Sequence, residues 1–373
     1  MKVNELELER YLAKYEFIAP YLFCTSDSES FDINELLNMD KDYPKKFSEL
    51  KLGYVDPQGS KYFREEISTL YSNISSDEIV ILSGAAEGIF VIMNVLLEKN
   101  DHVIVQWPCY QPLYEIPISI GCEVTKWEMK EDNNWETDME FLRRDIKNNT
   151  KMIVINNPHN PTGFLFSKDA IAKLVDIANR NNIWIFSDEV YRFTEYEESD
   201  QILAIADIYD KGISLGAMSK VFGLGGLRIG WASVRNKEVL RKIVSFKDYT
   251  TICCSSPSEM LSAIAIRNKN TIIEKNMKII KDNLKLLDAF FEKYKDLFEW
   301  VRPKAGAISY SKIKFNMDVK DFSNDVLEKK GILLLPGFVF GDYNKNFRIG
   351  FGKKNTKEIL DKFEEYVIEN LIK

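Results

Sequence analysis

Lys220 sits among small and apolar residues, in Gly216-Ala217-Met218-Ser219-Lys220 and then Val221-Phe222-Gly223-Leu224-Gly225-Gly226-Leu227-Arg228. Lysine is seldom placed in such company without a role. Desolvation lowers its pKa and makes the amine a candidate nucleophile. Asp188 follows the apolar run Ile183–Phe186, in Ser187-Asp188-Glu189-Val190-Tyr191, where a carboxylate is costly unless paired. Ser83-Gly84-Ala85-Ala86-Glu87-Gly88 opens a helix with unobstructed backbone N–H groups, which suit a phosphate. The same small residues also suit a tight strand–helix turn. Trp107-Pro108-Cys109-Tyr110 offers an aromatic ring for stacking on a planar ligand, or simply for a core. In Asn156-Asn157-Pro158-His159-Asn160-Pro161-Thr162-Gly163, two prolines and a glycine fix a turn that presents Asn and His side chains. An amine, a carboxylate, a stacking ring, a phosphate cradle and Arg228 together meet the needs of pyridoxal 5′-phosphate. Its aldehyde needs a lysine, its ring nitrogen an anion, and its phosphate donors and a cation. Gly223-x-Gly225-x-x-Arg228 lacks the third glycine of a dinucleotide fingerprint, and no Walker A sequence occurs.

These residues need a scaffold that brings strand ends together. Glu78–Leu82, His102–Gln106, Lys151–Ile155, Ile183–Phe186, Ile213–Leu215 and Ile229–Val234 read as short strands rich in β-branched residues. Helical periodicity runs from Gly84 to about Leu97 and over Ala170–Asn181. Such alternation predicts an α/β fold with a mostly parallel central sheet covered on both faces. Ligands then bind beyond the carboxyl ends of the strands, where each motif above falls. After Ser258 the pattern changes to a lysine-rich helical stretch, Glu259 to about Tyr294. Strands follow at Ala307–Lys312, Ile332–Leu335 and Phe347–Phe351, then an amphipathic helix over Thr356–Ile372. This predicts a large domain over 46–256 and a smaller α/β domain built from both termini, 1–45 and 257–373.

Composition narrows the chemistry. Of 373 residues, Lys+Arg number 50 and Asp+Glu 57, a net charge of −7 that argues against broad nucleic-acid binding. His102 and His159 are the only histidines, so a His-rich metal site is not expected. Cys24, Cys109, Cys122, Cys253 and Cys254 include no C-x-x-C, which fits reduced thiols and a cytoplasmic location. No run approaches the length of a membrane-spanning helix.

Asn157-Pro158-His159-Asn160-Pro161-Thr162-Gly163, Ser187-Asp188-Glu189-Val190-Tyr191 and Ser219-Lys220-x-Phe222-Gly223-x-x-Gly226-x-Arg228-x-Gly230 resemble the fold type I, class I/II aminotransferase family in order and spacing. The resemblance implies that Lys220 is the Schiff-base lysine and Asp188 the partner of the pyridine nitrogen. It makes Tyr191 and Asn160 hydrogen-bond donors to the ring's phenolic oxygen and Tyr110 the stacking aromatic. Gly84, Ala85 and Ala86 then hold the phosphate together with Ser219 and Arg228. Tyr54, in Tyr54-Val55-Asp56-Pro57-Gln58-Gly59, resembles a tyrosine that reaches a neighbouring subunit's phosphate, which implies a homodimer with shared sites. Asn346-Phe347-Arg348-Ile349-Gly350 resembles the carboxylate-binding segment, with Arg348 on the substrate α-carboxylate. Ala217 stands where the family often has a phosphate-binding hydroxyl.

The implied reaction moves an amino group between an amino acid and a 2-oxo acid. Phe23-Cys24-Thr25-Ser26-Asp27-Ser28-Glu29-Ser30 replaces the family's glycine-containing loop. With Tyr249-Thr250-Thr251-Ile252 it resembles a subgroup that includes capreomycidine synthase. Elimination or intramolecular cyclisation of an amino acid is therefore the alternative. A non-catalytic binding module is disfavoured, because the lysine, the aspartate and both arginines are present.

Overall fold

The computed structural model describes residues 2–341 and 343–372. Seven strands form the large sheet: β1 (Ile79–Leu82), β2 (His102–Trp107), β3 (Glu123–Glu128), β4 (Thr150–Asn156), β5 (Trp184–Asp188), β6 (Gly212–Ala217) and β7 (Gly230–Val234). Their order is β1-β7-β6-β5-β4-β2-β3. Only β7 runs against its neighbours. The β-branched runs are buried on both faces, and their alternation divides them cleanly. Val103, Val105, Met152 and Val154 join a core with helices Gly84–Leu96 and Lys237–Lys247. Ile104, Ile153 and Ile155 join an opposite core with helix Lys168–Arg180. This is the doubly covered sheet the sequence predicts.

Four further strands, β8 (Phe298–Glu299), β9 (Ile308–Ile313), β10 (Leu335–Pro336) and β11 (Asn346–Gly350), form an antiparallel sheet ordered β10-β11-β9-β8. Helices Val319–Lys330 and Thr356–Asn370 share its aromatic-rich core. The first residues touch several layers. Tyr21–Leu22 pairs in parallel with Ile332–Leu333. Helix Glu7–Tyr15 shares a core with Val339 and Phe340, and Glu7 N–H donates to Gln111 at 2.9 Å. Leu36 and Tyr43 pack with Phe63 and Leu261.

Three departures from the sequence reading have a clear local cause. β3 is absent from it, because a charged edge strand (only Trp127 is buried) lacks the apolar signal. The expected strand Ile332–Leu335 is split, since its two halves pair with different partners. The long helix is two helices, Ser256–Arg267 and Lys269–Lys293, interrupted at Asn268, whose Nδ2 donates to the Ile264 carbonyl at 2.9 Å.

Candidate active site

The carboxyl ends of the parallel strands face one cavity of about 310 Å³. Tyr110, Asn160, Asp188, Tyr191, Ser219 and Lys220 line it, as do Ala85, Ala86, Arg228 and Arg348.

Lys220 arrives just after β6. Its Nζ donates to Ser26 Oγ at 2.8 Å and lies 5.9 Å from the Tyr191 ring centroid. Ser26 belongs to residues 23–30, which cross the site as a clamped strap. Ser28 N–H donates to the Lys220 carbonyl at 3.1 Å. Lys353 Nζ donates to Asp27 Oδ2 at 2.7 Å and to the Ser28 carbonyl at 2.8 Å. A Cβ added at Gly350 would lie 1.5 Å from the Thr25 carbonyl oxygen, so only glycine admits this approach.

Asp188 ends β5, buried, with its Oδ1 accepting Val190 N–H at 3.3 Å. Burial pushes its pKa up to about 7, against the opposing pull of that N–H group and of the Lys220 charge. Asn156 braces the surroundings. Its Nδ2 donates to the Asp188 carbonyl at 2.8 Å, and its Oδ1 accepts Asn160 N–H at 2.6 Å. Gln106 Oε1 in turn accepts Asn156 N–H at 2.9 Å. Tyr191 Oη is buried without a hydrogen-bond partner.

Arg348 is the central residue of β11, in register with Tyr310 and Leu335. It is 3 % exposed, and its Nη1 and Nη2 donate to Asn160 Oδ1 at 2.9 Å and the Cys24 carbonyl at 2.7 Å. Its Nε is buried and unpartnered. No carboxylate pairs with it among the described residues, and burial lowers its pKa. A buried guanidinium held by neutral oxygens is an open place for an anion.

At the far end, helix Gly84–Leu96 begins without a side-chain cap. Arg228, in the left-handed region at φ 53°, lies against that start. A Cβ at Gly84 (φ 80°) would lie 2.5 Å from Arg228 Nη2, so glycine keeps the guanidinium beside the free N–H groups. Ala217 is buried beside Ala85 and Val190 and offers no hydroxyl there.

Other residues fall outside the cavity. Tyr54 is 90 % exposed. His159 is buried, its Nδ1 2.8 Å from Thr162 Oγ1, and burial lowers its pKa to about 3, so it stays neutral and holds its turn. Thr250 and Thr251 donate to Glu87 at 2.5 and 2.7 Å, tying their segment to the Gly84 helix rather than to the cavity. Sequence reasoning assigned no role to Ser26, Asn156 or Gln106. Asn156 and Ser26 lay in segments already singled out, though without a role of their own; Gln106 becomes visible only when distant segments meet.

The family model for "Aminotransferase class I and II" matches residues 38–363. Aspartate aminotransferase of Sulfurisphaera tokodaii is 27% identical over 84% of this chain and 82% of its own. Capreomycidine synthase of Streptomyces vinaceus is 26% identical over 73% and 69%. Among solved structures, a PLP-dependent aminotransferase from Streptococcus suis is 33% identical, with a TM-score of 0.93 over 99% of both chains. The PLP-dependent cyclase OrfR, 23% identical, shares the fold with a TM-score of 0.91 over 99% and 98%. A mostly parallel sheet with a lysine, a carboxylate and an anion cradle at its strand ends defines a pyridoxal-phosphate enzyme of fold type I. Within that class the chain belongs to the class I and II aminotransferases, and pyridoxal 5′-phosphate is its cofactor. The residues present fit that group: Tyr191 Oη is an unused buried donor, Asp188 lacks a positive partner beyond Lys220, and the Gly84 turn leaves a cradle that a Cβ would fill.

Proposed function

We propose that this cavity is the transamination site, acting on an amino acid and a 2-oxo acid. When bound, pyridoxal phosphate supplies an aldehyde that takes up the amino group and a ring that drains charge from Cα. Ala85 and Ala86 N–H groups, Ser219 and Arg228 would hold its phosphate, with Gly84 keeping the space open. Tyr110 would stack on the ring. Asp188 would hold a proton on the ring nitrogen, while Tyr191 Oη and the Asn160 amide would donate to the phenolic oxygen. Arg348 orients the substrate α-carboxylate. The Lys220 amine, once free, would take the Cα proton and deliver it to the carbon that had been the cofactor's aldehyde, as general base and then acid.

Arg348 carries this reading: a buried cation without a counter-ion shares one cavity with Lys220 and Asp188. Lys220→Ala is expected to abolish turnover and the borohydride-reducible chromophore; normal turnover in that variant would sink the assignment. Cyclisation or elimination shares the same Cα–H cleavage and is the second reading, supported by the relationship to capreomycidine synthase. Stoichiometric conversion of bound cofactor to its amine form by amino acid alone marks transamination. Ammonia and keto acid released without an acceptor mark elimination.

The wider reading is a biosynthetic enzyme of amino-acid metabolism, with a large domain over 46–256 and a smaller one built from both termini. Free thiols at all five cysteines favour the cytoplasm. Leu52 (81 % exposed), Tyr54 and Tyr249 (89 %) are large side chains left exposed on this chain, which suits a homodimer in which Tyr54 reaches the neighbouring site. Among the described residues no helix is long and apolar enough to cross a membrane.

A further inference from the structure

Arg348 works across a seam. Its backbone belongs to β11 of the antiparallel sheet, while Asn160, which its Nη1 meets at 2.9 Å, follows β4 of the large sheet. A slip of about 1 Å between the two sheets would misplace the guanidinium. At this point the sheets are held in line by a turn that lies outside the cavity.

The turn follows edge strand β3 and is closed by a bridge between Met129 and Thr137. Met129 Sδ accepts Gln106 Nε2 at 3.3 Å, and Gln106 also holds Asn156, so the turn is rooted in the strands behind the cavity. From it Glu131 reaches over to the antiparallel sheet. Its side chain is 11 % exposed, with Oε2 3.2 Å from Lys312 Nζ, and its Oε1 accepts Asn346 Nδ2 at 3.3 Å. Among the described residues no other salt bridge joins residues 79–234 to residues 298–350. Lys312 and Asn346 are direct partners across β9 and β11, so Glu131 grips both strands of one rung. Side chains alternate along a strand, so the next rung on that face is Tyr310 with Arg348. The same turn braces that rung too. Trp135, buried and in the left-handed region at φ 62°, sets its ring 5.7 Å from that of Tyr310. A bulky residue takes that backbone only when its surroundings hold it there.

We propose that Glu131 is a positioning residue for the substrate's α-carboxylate: by gripping the Lys312–Asn346 rung it fixes where Arg348 points. This rests on Arg348 seating that carboxylate, as proposed above. Glu131, Lys312, Asn346 and Arg348 lie in one chain, so the tie needs no residue from a neighbouring subunit.

The test compares amino acids with the amines left when the α-carboxyl group is removed: alanine with ethylamine, lysine with cadaverine, and glutamate with γ-aminobutyrate. Each is mixed with holoenzyme, and loss of the cofactor's absorbance band gives a half-saturating concentration and a maximal rate. Glu131→Ala is expected to raise the half-saturating concentration of each amino acid about tenfold, the worth of one charged hydrogen bond, while maximal rates move less than about twofold. The rates with the amines are expected to stay as they are. Glu131→Gln keeps an acceptor for Asn346 and is expected to recover part of the loss. Lys312→Met is expected to reproduce the loss from the other side. These two variants carry the test if Glu131→Ala does not fold. In an Arg348→Ala background, adding Glu131→Ala is expected to cost nothing further. Unchanged half-saturation in the folded variants, equal weakening with the amines, or a full added loss in the Arg348→Ala background overturns this inference alone. Arg348→Ala leaving every half-saturating concentration unchanged would overturn the site reading, and this inference with it.

Discussion

Ser26 and Asp188 show how single side chains set the chemistry. The Ser26 hydroxyl accepts from the free amine of Lys220 at 2.8 Å, and in the reaction proposed above that free amine would move the proton. Ser26→Ala should therefore slow proton transfer about tenfold by loosening the amine's aim. Single-turnover rates with α-deuterated amino acid would check this: kcat should fall with a larger isotope effect, while cofactor affinity holds. Asp188 makes a pH prediction. Its pKa rises in the fold from 3.8 to about 7, so between those values the folded state keeps a proton that the unfolded chain has lost. Stability of the cofactor-free protein should thus fall as pH rises from about 4 to about 7 and level off above that. Glu195, also pushed up to about 7 by burial, adds to the same slope. Asp188→Asn should remove its own share, leaving the variant roughly 2 kcal/mol or more stabler than the parent at pH 8 in denaturant titrations. Lys220 and Asp188 stood out in the sequence because a lysine and an aspartate are conspicuous beside apolar strands, whereas Arg348 was singled out only through the family resemblance. Ser26 did not stand out, because a serine in a polar segment carries no such contrast.

At the scale of elements, the strap over residues 23–30 is held from several sides. Gly350 on β11 admits the Thr25 carbonyl where no side chain fits. Gly350→Ala should push the strap off Lys220, costing about 2 kcal/mol in denaturant midpoint and lowering activity more than stability alone explains. The central strands were readable because burial on both faces leaves unbroken β-branched runs. β3 was hidden by its charges, and the break at Leu334 by a change of partners that only the folded chain reveals. The strap's position was equally hidden, since it rests on contacts between residues more than three hundred apart in sequence, such as Lys353 with Asp27.

For the whole molecule, the exposed Tyr54 gives a test of shared sites. Tyr54→Ala and Lys220→Ala homodimers should each be weak or inactive. After dissociation and mixing, half the dimers become hybrids with one intact site, so activity should recover to about a quarter of the parent's. No recovery would mean that each chain builds its site alone. The α-carboxylate seat proposed at Arg348 has a further consequence, for the order in which the protein is made. Arg348 is bonded to Asn160 and to Cys24, so the seat closes only when three distant stretches of chain meet. A chain still on the ribosome emerges with its N-terminal parts first. Lys220 therefore emerges well before Arg348, the residue proposed to seat the substrate. Of the three stretches that build the proposed seat, the one bearing Arg348 is made last.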